Sequence, residues 1–175
     1  ARLPITMPNV DNEMAFTPEQ YPGTLQSNGL HHAVYSEKLL VGYRYYDTHD
    51  ISFTKGFPFG HGLSYTTFLY KDLSIEGRSI TFTVQNSGNV AGREVAQLYL
   101  GFPAAAGEPP SQLRGFAKTQ LLQPGQEEHI SLPLRERDTS IWDPSLHKWK
   151  SVPGTFAVRV GKSSRDIVLE GTVQL

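Results

Sequence analysis

Two aspartates beside an aromatic pair are the residues of this sequence whose spacing could support acid–base chemistry. Asp47 and Asp50 follow Tyr45 and Tyr46, so the segment resembles a carboxylate site lined by aromatic rings. A working pair needs one carboxyl with a raised pKa, which burial would produce. Nothing nearby in the sequence is expected to desolvate either group, and Asp commonly forms Asx turns. We therefore interpret both aspartates as turn formers.

The histidines and serines do not form a pattern that indicates metal binding or nucleophilic catalysis. His31 and His32 are adjacent, so their side chains should diverge, and no His-x-x-x-His spacing occurs. Ser64 lies in Gly-Leu-Ser-Tyr rather than in a Gly-x-Ser-x-Gly elbow. There is no cysteine to supply a thiolate ligand. The sequence therefore predicts neither a metal site nor a cofactor.

Two tryptophans could bind sugars, because exposed indole rings stack on sugar faces. Trp142 and Trp149 lie in a Pro- and Lys-containing, hairpin-like stretch, and Asp138 and Asp143, which bracket Trp142, are expected to form loops. Trp is highly buried on average. We favour packing for both rings, in a core or against a partner domain, and keep sugar stacking as the alternative.

Composition indicates a folded chain and excludes one class of function. The 175 residues carry 16 basic and 17 acidic side chains and a net charge of −1. A nucleic-acid partner is not expected, because such a protein needs clustered Lys and Arg. No apolar run approaches the roughly 20 residues that span a bilayer, so no membrane partner is expected either. The start on Ala1 suggests an excised piece of a longer protein.

Residues 1–62, here called the arm, differ in texture from the rest of the chain. They contain many Gly, Pro and aromatic residues and little periodicity, with a short helix predicted over residues 36–44 and Ser36 as its N-cap. A solvated tether would not carry so many rings. We expect a mostly irregular, aromatic-rich arm that lies on a surface and buries its rings there.

Residues 63–175 show short alternating runs separated by turn residues, which is typical of a β-sandwich. In the run over residues 79–85, Ile80, Phe82 and Val84 fall on one face. The fold class is all-β, with seven strands in an immunoglobulin- or fibronectin type III-like sandwich. The predicted strands cover residues 68–75, 79–85, 94–100, 113–119, 128–134, 155–160 and 167–173.

An ordered series of motifs resembles glycoside hydrolase family 3, which includes β-glucosidases and β-xylosidases. The stretch from Val41 to Asp47 and the segment Phe-Pro-Phe-Gly-His-Gly-Leu-Ser-Tyr at residues 57–65 are similar to the connector before the C-terminal domain of those enzymes. Leu3 to Thr6 is similar to the end of their α/β domain. Motifs similar to their fibronectin type III-like domain follow at residues 86–89, 97–100, 113–116 and 122–125.

The resemblance implies a non-catalytic accessory role for this chain. The family uses two facing carboxyl groups, a nucleophile and a general acid, and both lie upstream of the motifs found here. No catalytic residue can be carried over, so whether the chain is itself an enzyme stays open. The parent would hydrolyse terminal β-D-glycosidic bonds, as a β-glucosidase does, and this chain would pack against its catalytic domains and stabilise them.

Several arm residues are candidates for docking on those domains. Phe57 and Phe59 could be anchors, with Pro58 stiffening the backbone and Gly60 and Gly62 allowing close approach. An equally favoured alternative is that both rings fold under the sandwich of this same chain. Arg44 and Arg114 could form interdomain ion pairs or be ordinary surface charges. The full set of docking candidates is Tyr43, Arg44, Tyr45, Tyr46, Phe57, Phe59 and Tyr65.

Partners and location follow from the same resemblance. The expected partner is the set of N-terminal catalytic domains of the same parent protein, with a homodimer partner as an additional expectation. An extracellular or periplasmic location is favoured for the parent, since polysaccharide-processing members are often exported. The alternatives are a free-standing carbohydrate-binding or adhesive module, with an oligo- or polysaccharide as its partner, and a complete small hydrolase.

Overall fold

Antiparallel strands are the main regular elements of the computed structural model, which describes all 175 residues and contains one short α-helix. No helix has the length and apolar character needed to cross a membrane. The helix α1 spans Tyr43–Thr48. The strands are β1 (Thr24–Leu25), β2 (His31–His32), β3 (Phe68–Glu76), β4 (Ser79–Asn86), β5 (Val95–Gly101), β6 (Gln112–Lys118), β7 (Glu127–Ser131), β8 (Ser140–Asp143), β9 (Lys148–Ser151), β10 (Thr155–Ser163) and β11 (Asp166–Gln174).

Seven of these strands form two facing sheets, and the predicted sandwich is confirmed. One sheet has the order β11-β10-β5-β6 and the other β3-β4-β7. The core lies between them and draws on both, since Phe82 of β4 and Phe156 of β10 belong to one buried cluster. Alternation explains the packing, because successive side chains of a strand point to opposite faces. Ile80, Phe82 and Val84 are all fully buried, as the sequence predicts.

The arm contains more regular structure than the sequence predicts, and its helix is in a different place. Residues 36–39 form a turn, in which Lys38 has a φ of 51°, a left-handed value that a continuous helix does not allow. The helix begins only after Gly42, whose φ is 61°. The helix predicted over residues 36–44 is therefore wrong by about two turns. The arm also holds the β1–β2 pair and a bridge between Met7 and Phe57.

The stretch around the tryptophans is a β-hairpin, which confirms its predicted hairpin-like character. Strands β8 and β9 pair so that Trp142 lies opposite Trp149. Asp143 closes the turn by accepting hydrogen bonds from the Ser145 hydroxyl at 2.6 Å and from the Leu146 N–H at 3.1 Å. The predicted role of Asp143 as a loop former is confirmed. The strands were missed because each has only four residues.

Candidate functional site

The arm covers the outer face of strand β5. Alternation places Gln97 and Tyr99 on the side away from the core, yet they are 3% and 0% exposed. The Gln97 amide donates a hydrogen bond to the carbonyl oxygen of Gly60 at 3.2 Å and another to that of Lys162 at 2.6 Å. The Tyr99 hydroxyl donates to Gln97 Oε1 at 2.6 Å. Residues 57–62 thus act as a partial third layer on the sandwich.

Gly60 is required at this contact. Its φ of 80° is a conformation that L side chains rarely adopt, and a Cβ atom added there would overlap the Gln97 side chain. The next residue pair along the junction is also linked, because the Ser164 N–H donates to the carbonyl oxygen of Phe59 at 2.9 Å. The close approach that the sequence predicts for Gly60 is confirmed.

Tyr43 joins helix α1 to the sandwich. Its ring lies 5.0 Å from that of Phe59 and 5.9 Å from that of Tyr99, measured between centroids. Its hydroxyl accepts a hydrogen bond from the Leu113 N–H at 2.9 Å. Burial raises the pKa of Tyr43, so the hydroxyl stays neutral at ordinary pH. Tyr43 and Phe59 therefore pack on the sandwich of their own chain.

Two ion pairs also join the arm to the sandwich. The Arg2 guanidinium binds the Glu94 carboxylate, whose side chain is buried and also accepts the Val95 N–H at 2.6 Å. Asp47 binds Arg165, with 3.1 Å between Oδ1 and Nε. No sequence pattern predicted a role for Arg2, Glu94 or Arg165. One signal was available for Glu94, because it is an acidic residue directly before a mostly apolar strand.

Asp47 corrects one expectation about the candidate carboxylates. Burial of its carboxyl group raises its pKa to about 6, although Arg165 acts in the opposite direction. Its Oδ2 atom is buried and has no hydrogen-bond partner. The prediction that nothing would desolvate this residue is therefore wrong. Asp50 is exposed in the turn that follows α1, with a φ of 52°, and the turn assignment is confirmed for this residue.

A second set of contacts lies within the arm itself. The buried ring of Tyr46 stacks on Phe53 with 4.7 Å between centroids, and its hydroxyl donates to Glu13. The Glu13 pKa is lowered mainly by this hydrogen bond. A neighbouring cavity of about 490 Å³ is lined by residues from both ends of the arm, including Thr6, whose hydroxyl has no partner. The arm thus makes contacts within itself but leaves a cavity in its packing.

The remaining docking candidates are exposed or only partly buried. Tyr65 is 100% exposed and Phe57 is 43% exposed. Tyr45 is partly buried, with its ring stacked on His49 at 4.0 Å. Arg44 is partly buried, and none of the chain's ion pairs includes it. The seven candidates therefore divide into residues already packed within this chain and residues available for another surface.

The two tryptophans form an exposed pair. They are 47% and 42% exposed, and their ring centroids are 5.5 Å apart with the planes inclined at 56°. Neither ring lies in the sandwich core, so that part of the prediction is wrong. Arg137 covers one face of Trp149, with its guanidinium carbon 3.1 Å from the ring centroid. The inclination means that the two rings do not offer a single flat platform.

Histidines and acidic residues do not converge elsewhere. No group of three or more His, Cys, Asp and Glu side chains is placed to hold a metal ion. Asp138 is occupied structurally, since both of its carboxylate oxygens accept hydrogen bonds from Arg135, at 2.9 and 3.0 Å. The features with functional character are thus the arm–sandwich junction, the exposed face of the arm and the tryptophan pair.

Comparison with known proteins gives one consistent result. Residues 94–164 match the model of the fibronectin type III-like domain. The chain is 40% identical over 162 residues to probable beta-glucosidase D of Aspergillus niger, which covers 79% of this chain and 21% of the relative. It is 43% identical over 146 residues to probable beta-glucosidase K of Emericella nidulans, covering 81% and 17%.

A solved structure extends the similarity to the arm. The structure of beta-glucosidase 3B from Thermotoga neapolitana in complex with alpha-D-glucose has a TM-score of 0.84 and 37% identity, covering 99% of this chain and 24% of that one. These matches confirm the resemblance inferred from the sequence. The chain spans about a quarter or less of the length of these three proteins.

Proposed function

We propose that this chain is a non-catalytic module that docks on the catalytic domains of its parent enzyme and stabilises them. The chain corresponds to the C-terminal, fibronectin type III-like region of GH3 β-glucosidases. The parent would hydrolyse terminal β-D-glycosidic bonds. The relatives supply the reason, since this region forms only a minor part of proteins named as β-glucosidases.

The observation that carries this proposal is the unequal exposure of the arm. Eleven of the chain's 21 exposed large hydrophobic side chains lie within the arm, although the arm is little more than a third of the chain. Exposed apolar groups concentrated in one segment are typical of an interaction surface. They are Ile5, Met7, Val10, Tyr21, Leu25, Leu30, Val34, Tyr35, Leu39, Val41 and Phe57.

The junction described above explains how one segment could serve both sides. Tyr43, Gln97 and the two ion pairs attach the arm to the sandwich, while the exposed side chains remain available for another domain. The arm would then lie between the sandwich and the catalytic body. Movement of the sandwich relative to that body would be restricted by contacts on both faces of the arm.

Reconstitution tests this proposal. The region that precedes this chain in the parent gene would be produced separately and assayed on an aryl β-glucoside, alone and mixed with this chain. We expect no turnover by this chain alone, and higher activity or thermal stability of the preceding region when the two are mixed. Hydrolysis by this chain alone, with contamination excluded, or no effect of mixing would contradict the proposal.

A second candidate function is carried by the tryptophan pair. Exposed indoles support a carbohydrate-binding module, and Trp142 is the better candidate because Arg137 covers part of Trp149. Calorimetric titration with cello-oligosaccharides and pull-down with insoluble glucan would test it. Binding that is lost in Trp142→Ala would support this alternative, and an absence of heat with each glycan would remove it.

A further inference from the structure

Two arginines at the seam between helix α1 and strand β6 have no acidic partner in this chain. Arg44 is on the helix and Arg114 is on the strand, and the hydrogen bond from the Leu113 N–H to Tyr43 joins the two elements beside them. The structure contains four ion pairs, and neither arginine takes part in any of them.

Both side chains are nevertheless partly removed from water. The Nε atoms of Arg44 and Arg114 are buried and have no hydrogen-bond partner. Arg114 donates only to the Gln112 amide oxygen, at 3.0 Å, and lies 5.2 Å from the centre of the Phe102 ring. A buried donor without an acceptor costs free energy, and a charged one costs more. The chain alone therefore does not compensate this cost in full.

The acidic residues Asp138 and Glu108 relieve only part of this cost, because they act on Arg114 without forming an ion pair with it. Burial lowers the pKa of Arg114, and the positive charge of Arg44 adds to that effect, so the two guanidinium groups repel. Glu108 accepts a hydrogen bond from Gln112 at 2.7 Å, and Asp138 is held by both nitrogens of the Arg135 fork. The acidic residues that act on Arg114 are therefore already engaged.

We propose that Arg44 and Arg114 together bind a carboxylate side chain from the region that precedes this chain in the parent protein. This inference rests on the proposed docking function and specifies the charged groups that would make the contact. A guanidinium group matches a carboxylate in charge and in geometry, and each of the two keeps a terminal nitrogen that is neither buried nor bonded and would donate to the same acid. Most of the length of the relatives lies outside the matched region, which provides the source of that acid.

The surface next to this pair fits a segment that is acidic and apolar. Phe116 lies two residues after Arg114 on β6 and is strongly exposed. It borders a groove of about 380 Å³ with Leu113, Leu132 and Pro133. Strand β6 is an edge of its sheet. We therefore expect the partner segment to present its carboxylate to the arginines and an apolar side chain to this groove.

Binding of the full chain to the separately produced preceding region tests this inference. Arg44→Gln and Arg114→Gln should each weaken binding by about tenfold or more, because loss of one member of a buried charge pair is costly. Lys118→Gln, which removes an exposed positive charge from the same strand, should change binding less than about twofold. The same arginine variants in the unbound chain should unfold at the wild-type temperature or higher, since they remove an uncompensated charge.

Chemical cross-linking identifies the partner group. In Arg44→Lys and Arg114→Lys, a carbodiimide should join the new lysine directly to an Asp or Glu of the preceding region, and peptide mass spectrometry should locate it. If wild-type chain binds but the glutamine variants bind equally and no such cross-link forms, the carboxylate proposal is overturned and docking stands. If wild-type chain does not bind at all, the proposed function fails and this inference fails with it.

Discussion

Gln97 donates a side-chain hydrogen bond to the carbonyl oxygen of Gly60 across 37 positions of sequence. The acceptor belongs to the arm and the donor to a central strand of the sandwich. The contact is buried, and the same amide group is also bonded by the Tyr99 hydroxyl. The arm and the sandwich are therefore directly linked at this point, and substitutions here should affect both.

Gly60→Ala should destabilise the chain. The added Cβ would meet the Gln97 side chain, and the left-handed backbone would be strained. We expect the free energy of unfolding to fall by about 2–4 kcal/mol, because the backbone would be strained and the buried amide of Gln97 displaced. Urea unfolding measures this loss. Gly77→Ala is the matched control, because Gly77 also has a positive φ but has open space around it; equal losses in the two variants would show that the close approach is unimportant.

Arg2→Ala should lower the free energy of unfolding by more than a substitution that removes an exposed ion pair. The substitution leaves the Glu94 carboxylate buried without its cation, which costs about 3 kcal/mol or more. Lys71→Ala is the control, because Lys71 and Glu127 form an exposed pair at 2.7 Å and such pairs contribute less than about 1 kcal/mol. Thermal unfolding of both variants gives the comparison, and similar shifts in Tm would contradict the prediction.

Asp47→Asn should change the pH dependence of stability. The folded-state pKa of Asp47 is about 6, above the usual 3.8, so the native state binds more protons than the unfolded state between these values. Stability from this residue is therefore present below about pH 4 and is lost as pH rises through about 6. As pH rises over this range, the free energy of unfolding of the Asn variant should increase relative to that of the wild type by between about 1 and 3 kcal/mol.

Urea unfolding between pH 4 and pH 7 would test the Asp47 prediction. Asp50→Asn is the matched control, because Asp50 is exposed in the following turn. Its stability profile should run parallel to that of the wild type. A parallel profile for Asp47→Asn as well would mean that burial does not raise the pKa of that carboxyl group.

Tyr43→Phe should weaken the attachment of helix α1. The variant keeps the ring contacts with Phe59 and Tyr99 but leaves the Leu113 N–H without its acceptor, a loss of about 1 kcal/mol. Hydrogen exchange at the Leu113 amide should accelerate. Tyr65→Phe, at a fully exposed ring, should leave both stability and exchange unchanged, and protection of Leu113 that survives in Tyr43→Phe would contradict this assignment.

The sandwich could be predicted from the sequence because alternation is a local signal. Ile80, Phe82 and Val84 are spaced by two and bounded by turns, so burial of one face follows directly. The helix could not be placed in the same way. Ser36 is a good N-cap, but Lys38 adopts a left-handed conformation and Gly42 starts the actual helix after it. The position of the helix is decided by tertiary contacts with residues distant in sequence, such as those of Tyr43 with Leu113 and of Tyr46 with Glu13.

The polar junction was harder to predict than the apolar core. Arg2 and Glu94 are 92 positions apart and Asp47 and Arg165 lie even further apart, so no local pattern links them. The raised pKa of Asp47 has the same origin, since the groups that bury it come from other parts of the chain. Gly60, by contrast, could be predicted, because glycines beside aromatic residues often mark close backbone contact.

Coverage of β5 by the arm has a practical consequence for anyone who wishes to graft this sandwich onto another enzyme. A cut before Phe68 would strip Gln97 and Tyr99 of their cover and leave Glu94 without Arg2. The transplantable unit therefore reaches back to the second residue of the chain, well beyond the segment by which this kind of domain is recognised.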